Sequence, residues 1–110
     1  MNFESLKIDL NNLQDEIHNN ARTKGFWSME RTVPHTAMLI VSELAGGVEG
    51  DRNGELDRHL PQYDRLTIKL ADAVIRILDM AKGFGLPVID AIIDKHDFNI
   101  GREYMHGKKY

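Results

Sequence analysis

The residues in this sequence best suited to chemistry are one acid set in an apolar run and a polar line on a helix. Glu43 interrupts MLIVSELA, one turn after Leu39 and beside Leu44. A carboxylate buried there needs a partner, a proton or a metal. Lys69, Asp72, Arg76 and Asp79 follow one another at intervals of three, four and three, so they share one helical face. On an otherwise apolar helix that face is either a surface stripe or the lining of a site. Phe26-Trp27, beside Gly25, puts two large aromatics outside a helix. They are a plug for the end of the core or a wall for a planar ligand. Residues 91–110 carry Lys95, Arg102, Lys108 and Lys109 against Asp94, Asp97 and Glu103. That small local excess suits a phosphate group better than a nucleic-acid backbone, and a solvated tail is the plain alternative.

The elements that must position these residues read as helices. A first helix over 4–23 has Phe3, Leu6, Leu10, Leu13, Ile17 and Ala21 on one face. Lys7, Asn11, Asp15, His18 and Arg22 form its polar face, and Gly25 stops it. A second starts at Thr32 as N-cap, with Pro34 in the first turn, and packs along Ala37, Val41, Leu44 and Val48. Gly46, Gly47 and Gly50 fall where helix should continue. Either the helix ends early there or something approaches its backbone closely. Residues 51–64 read as one long loop, with a turn at Asn53-Gly54 and a break at Pro61.

The third helix, 67–83, has the cleanest amphipathic signal, and Asp64 is its cap. Ile68, Ala71, Ile75, Leu78 and Ala81 form a stripe that Leu70, Val74 and Ile77 widen. This predicts a helix buried on most of its girth, at the centre of a bundle. A fourth helix runs from Pro87 to Asn99, with Phe98 closing the bundle. The expected fold is all-α, a compact bundle of four to five helices in a single domain over 1–110.

Composition excludes several classes. The chain has 110 residues, 42% hydrophobic and 28% charged, with a net charge of -3. No general reason for a nucleic-acid partner follows. The absence of cysteine rules out disulfides and thiolate metal sites. No apolar run approaches the roughly 20 residues that span a bilayer. MNFESLKIDL does not read as a signal peptide, so a cytoplasmic location is expected. His35, His59 and His96 stand alone, and Ser42 lacks a base partner. The apolar excess on the second and third helices favours a subunit interface.

SELAGGVEGDR, KLADAVIRILDMAKGFG and DKHDFNIGREYMHGKKY together resemble the MazG-like branch of the all-alpha nucleoside triphosphate pyrophosphohydrolases. The resemblance runs from about Asn20 to Tyr110. It implies an oligomeric all-alpha fold, a homodimer or homotetramer. It also implies cleavage of a nucleoside triphosphate to the monophosphate and pyrophosphate, with Mg²⁺, or Mn²⁺, on facing carboxylate pairs. Carboxylates three apart share a face and offer the hard oxygen ligands such a cation takes. By this likeness Glu43 and Asp72 are catalytic carboxylates and metal ligands. Lys95, Asn99, Arg102 and Lys108 grip the phosphates or sugar of the nucleotide or other phosphorylated small molecule, and Trp27 borders the base.

The chain departs from the pattern at two positions. Gly46 stands where the second carboxylate of the first pair belongs, and Lys69 where the first of the second pair belongs. Lys69 is long enough to pair with Glu43 or Asp72 and partly fill the role of the metal. Asp79, two turns beyond Asp72, is the auxiliary ligand this geometry offers. A weak or inactive homologue that still binds a phosphorylated metabolite is the alternative to turnover, and a structural helical oligomer is the third reading.

Overall fold

The computed structural model describes residues 2–110, and Met1 lies outside the described residues. Four helices follow in order: α1 (Phe3–Thr23), α2 (Val33–Asn53), α3 (Arg65–Phe84) and α4 (Val88–Ile100), with a short 3-10 helix at Tyr104–Gly107. Local chemistry sets their ends. The Asn2 side chain accepts from the Glu4 and Ser5 amides, Thr32 from His35 at 3.2 Å, and Asp64 from Thr67 at 2.7 Å. These bonds satisfy N–H groups that a helix start leaves without partners. Gly54 and Gly85, at φ 65° and 71°, stop α2 and α3 in the left-handed region.

α3 packs most extensively on α2 and next on α1, while α4 leans on α1. Among the described residues no helix is long and apolar enough to cross a membrane. The only strand-like pairing described is an isolated antiparallel bridge between Leu56 and Asp64. It folds the α2–α3 connection back on itself.

Expectations for α2 and α3 are corrected in three respects. First, the loop expected over 51–64 is shorter, because α2 runs to Asn53, which excludes the early end among the two alternatives for its glycines. The approach to its backbone is real: Leu66 and Lys69 lie over Gly47, and a Cβ at Gly50 would sit 2.7 Å from Arg65 Cβ. Secondly, α3 is not buried on most of its girth. Ala73, Leu78, Asp79 and Ala81 are buried, whereas Leu70, Val74, Ile75 and Ile77 are exposed. Thirdly, the α2 seam points outward, since Val41, Leu44 and Val48 are exposed and Thr36, Gly47 and Gly50 are buried. The small residues admit α3, which turns the neighbouring apolar seam away by about one residue, or roughly 100°.

What remains is a thin core. Its buried apolar members among the described residues are Ala73, Leu78, Ala81, Ile89 and Ile93. Phe98 does not close the bundle, being 60% exposed. The radius of gyration is 16.3 Å, against about 13 Å for a compact chain of this length. The helices pack together, but a single chain leaves them splayed and much apolar surface open.

Candidate functional site

The polar line of α3 lines a cleft, and it divides into two parts. At its N-terminal end, Lys69 reaches across to α2. Its Nζ lies 3.4 Å from Glu43 Oε2 and 3.8 Å from Asp72 Oδ2. About two turns beyond Lys69, Arg76 Nε lies 3.5 Å from Glu43 Oε1. Glu43, only 14% exposed, is therefore held by two cations. Lys69 runs alongside Gly46, where a Cβ would meet its Cδ and Cε at an ordinary contact distance of 3.6 Å. Burial, and then the neighbouring Glu43 charge, pushes the Asp72 carboxyl up, against an opposing pull from Lys69. Each charge here has a neighbour of opposite sign, but the distances are long for charge-assisted hydrogen bonds, which run about 2.7–2.9 Å.

At the C-terminal end Asp79 is 8% exposed, and its carboxylate is fully engaged. His18 Nδ1 lies 2.7 Å from Oδ1, and Trp27 Nε1 donates to Oδ1 at 2.9 Å and Oδ2 at 3.1 Å. A carboxylate only accepts, so His18 carries its proton on Nδ1. Arg31 Nη1 approaches Oδ2 at 3.6 Å, and its guanidinium lies 4.6 Å above the Trp27 ring. Trp27 meets His18 and Phe84 edge-on, with centroids at 5.4 and 5.7 Å. The indole occupies the space that a Cβ at Gly83 would need.

Between these ends lies a cleft of about 300 Å³. Glu43, Lys69, Asp72 and Arg76 form its charged wall. Ile17, Ala21, Phe26 and Ile75 form an apolar one, with Arg31 and Asp79 at the border. Of the two aromatics, Trp27 is the plug and the 58%-exposed Phe26 lines the cleft.

The sequence-derived residues are only partly brought together. Glu43, Lys69, Asp72 and Asp79 line one cleft, and Gly46 lies behind Lys69. Lys95, Asn99, Arg102 and Lys108 line none of it. Lys95 and Arg102 instead flank the exposed Phe98 ring, at 4.7 and 5.5 Å. Asn99 Oδ1 is buried without a hydrogen-bond partner among the described residues. For a metal the donor set does not fit as it stands. Glu43 and Asp72 share a lysine ammonium, Asp79 is committed to His18 and Trp27, and no group of three potential ligands forms among the described residues.

Two residues of this network escape a reading of α1 by hydropathy. Gln14 is buried and donates to the Leu78 carbonyl at 2.9 Å, and His18 holds Asp79. Their spacing of four, on one face with Ile17 and Ala21, is the signal that they share a buried side.

No protein-family model, no curated protein and no solved structure matches this chain.

Proposed function

We propose that this chain is a nucleoside triphosphate pyrophosphohydrolase-like protein with a modified metal site. Its cleft binds a nucleotide, or another phosphorylated small molecule, on fixed cations. The single observation that carries the reading is the Lys69 ammonium between Glu43 and Asp72, on the wall of a cleft that Arg76 and Arg31 also line. A planar base has Phe26 and Ile75 to lie against, and phosphate oxygens have Lys69 and Arg76 as donors. On this reading binding does not need a divalent cation. Calorimetric titration of the common nucleoside triphosphates in EDTA tests it. Binding that survives chelation supports it, and binding seen only with Mg²⁺ or Mn²⁺ overturns it.

Turnover is the second reading, and one observation favours it. Glu43 and Asp72 remain neighbours across Lys69, and burial first, then the Glu43 charge, raises Asp72. A divalent cation would relieve that repulsion. Pyrophosphate release with Mg²⁺ or Mn²⁺ by the pure protein is the assay. Release by a Gly46→Glu, Lys69→Glu variant and not by the wild type would mark the site as one that has lost its metal.

The exposed α2 and α3 seams and the open packing support a homodimer or homotetramer as the working form. Sedimentation at micromolar concentration tests that. The cytoplasm is the compartment proposed for it.

A further inference from the structure

Arg31 is a cation packed into the border of the cleft with its donors unspent. It stands one residue before the Thr32 cap of α2, and only 10% of its side-chain surface is exposed. Its guanidinium lies 4.6 Å above the Trp27 ring, and Nη1 is 3.6 Å from Asp79 Oδ2. At that distance the two charges attract without a hydrogen bond. Among the described residues the Arg31 side chain donates to no other group, and yet none of its nitrogens is cut off from open space. The open space it lines is the cleft.

The carboxylate beside it is spent. Asp79 accepts one hydrogen bond from His18 and two from Trp27. With Arg31 these take up the roughly four acceptor sites of a carboxylate. Asp79 also balances the charge of Arg31, so this corner offers N–H donors and no positive excess. A neutral group that accepts twice is what it suits. The guanidinium fork holds two parallel N–H bonds in one plane. It fits two acceptors side by side on a flat ring and opposes a donor at either place.

Phe26 and Ile75 give such a ring its faces. Guanine carries two acceptors, O6 and N7, on one edge. On the corresponding edge adenine sets an amino group beside N7, and cytosine presents an amino group. Neither amino group would find an acceptor at Asp79. Uracil, like thymine, has one acceptor there and leaves half of the fork unused. We infer, resting on the nucleotide reading of the cleft, that Arg31 selects the base, and that the base is guanine or another purine with the same O6 and N7 edge. The Asp79 contact is loose enough for the fork to move onto the base. Lys69 and Arg76, on the charged wall, are left to the phosphate.

The test is calorimetry in EDTA on the folded full chain, with the monophosphates of guanosine, inosine, adenosine, cytidine and uridine. Guanosine monophosphate should bind roughly tenfold tighter than the adenosine, cytidine and uridine ligands. Inosine monophosphate, which keeps O6 and N7, should match it within about twofold. A guanosine monophosphate analogue with a carbon in place of N7 should lose roughly tenfold. Arg31→Lys keeps the charge opposite Asp79 and loses the fork. It should bring guanosine monophosphate down to the level of the others and leave those within about twofold. Equal wild-type affinity for all bases, a preference for adenosine, cytidine or uridine, or a guanosine preference that survives Arg31→Lys overturns this inference and leaves the nucleotide reading standing. Absence of any nucleotide binding by the wild type overturns both.

Discussion

The two ends of the α3 polar line use the same residue types to opposite effect. At Asp79 one buried carboxylate faces three donors, two of them within 2.9 Å, and the indole that holds it is wedged against Gly83. At Glu43 and Asp72 two carboxylates share cations at 3.4 Å or more, with open space beside them. The first arrangement ties α1 to α3, and its carboxylate has nothing left to give a ligand. The second is held loosely, and its side chains can exchange one partner for another. A buried charge that is fully satisfied acts as a fastener, whereas one that is under-satisfied and wet is free to bind.

The comparison is broken most directly at Asp79. Asp79→Ala leaves the half-buried residues His18, Trp27 and Arg31 without their acceptor. It should cost about 3–5 kcal/mol in urea denaturation, more than Glu43→Ala, whose two cations reach water. A smaller cost for Asp79→Ala than for Glu43→Ala would reverse the roles assigned to the two ends.

The glycines come next. Gly→Ala inside a helix ordinarily stabilises, by about 1 kcal/mol. Gly83→Ala should do the reverse and cost about 1–3 kcal/mol, because its methyl meets the Trp27 ring. Gly46→Ala, with 3.6 Å to its nearest neighbour, should show the ordinary gain. Two effects of the same sign in thermal unfolding would contradict this contrast.

Lys69→Met sharpens the other side. It should change stability by less than about 1 kcal/mol, since the pairs it breaks are long and partly exposed. Nucleotide affinity by calorimetry should fall roughly tenfold.

The smallest effect is a pH dependence. The Asp72 proton is held more tightly in the folded chain than in the unfolded one. Ionising Asp72 therefore works against the fold, and the penalty grows as pH rises through the raised value. Asp72→Asn removes it. The variant should exceed the wild type at pH 7 by no more than about 0.5 kcal/mol, the side chain being 40% exposed. The gap should close as pH falls toward about 4.

How much of this was legible in the chain follows from how local each cause is. Thr32 and Asp64 announce the starts of α2 and α3 within three residues of the amides they cap. The spacing of Lys69, Asp72, Arg76 and Asp79 announces a shared face before any partner is known. The glycines of α2 pose a choice that only α3 resolves, when Leu66, Lys69 and Arg65 come to lie on them. The buried side of α1 was illegible by hydropathy, because Gln14 and His18 owe their burial to Leu78 and Asp79, more than sixty positions away. The division of labour between Phe26 and Trp27 was hidden for the same reason, since Gly83 and Asp79 decide which ring goes in.

Trp27 is the only tryptophan in the chain. Its indole N–H reads the docking of the α1–α2 connection on α3 through Asp79, and its face carries Arg31, which borders the cleft. The molecule therefore contains its own optical probe. Emission from one residue should shift to the red when the helices separate and change intensity when a ligand draws Arg31 away, so that unfolding and occupancy can be followed without a label.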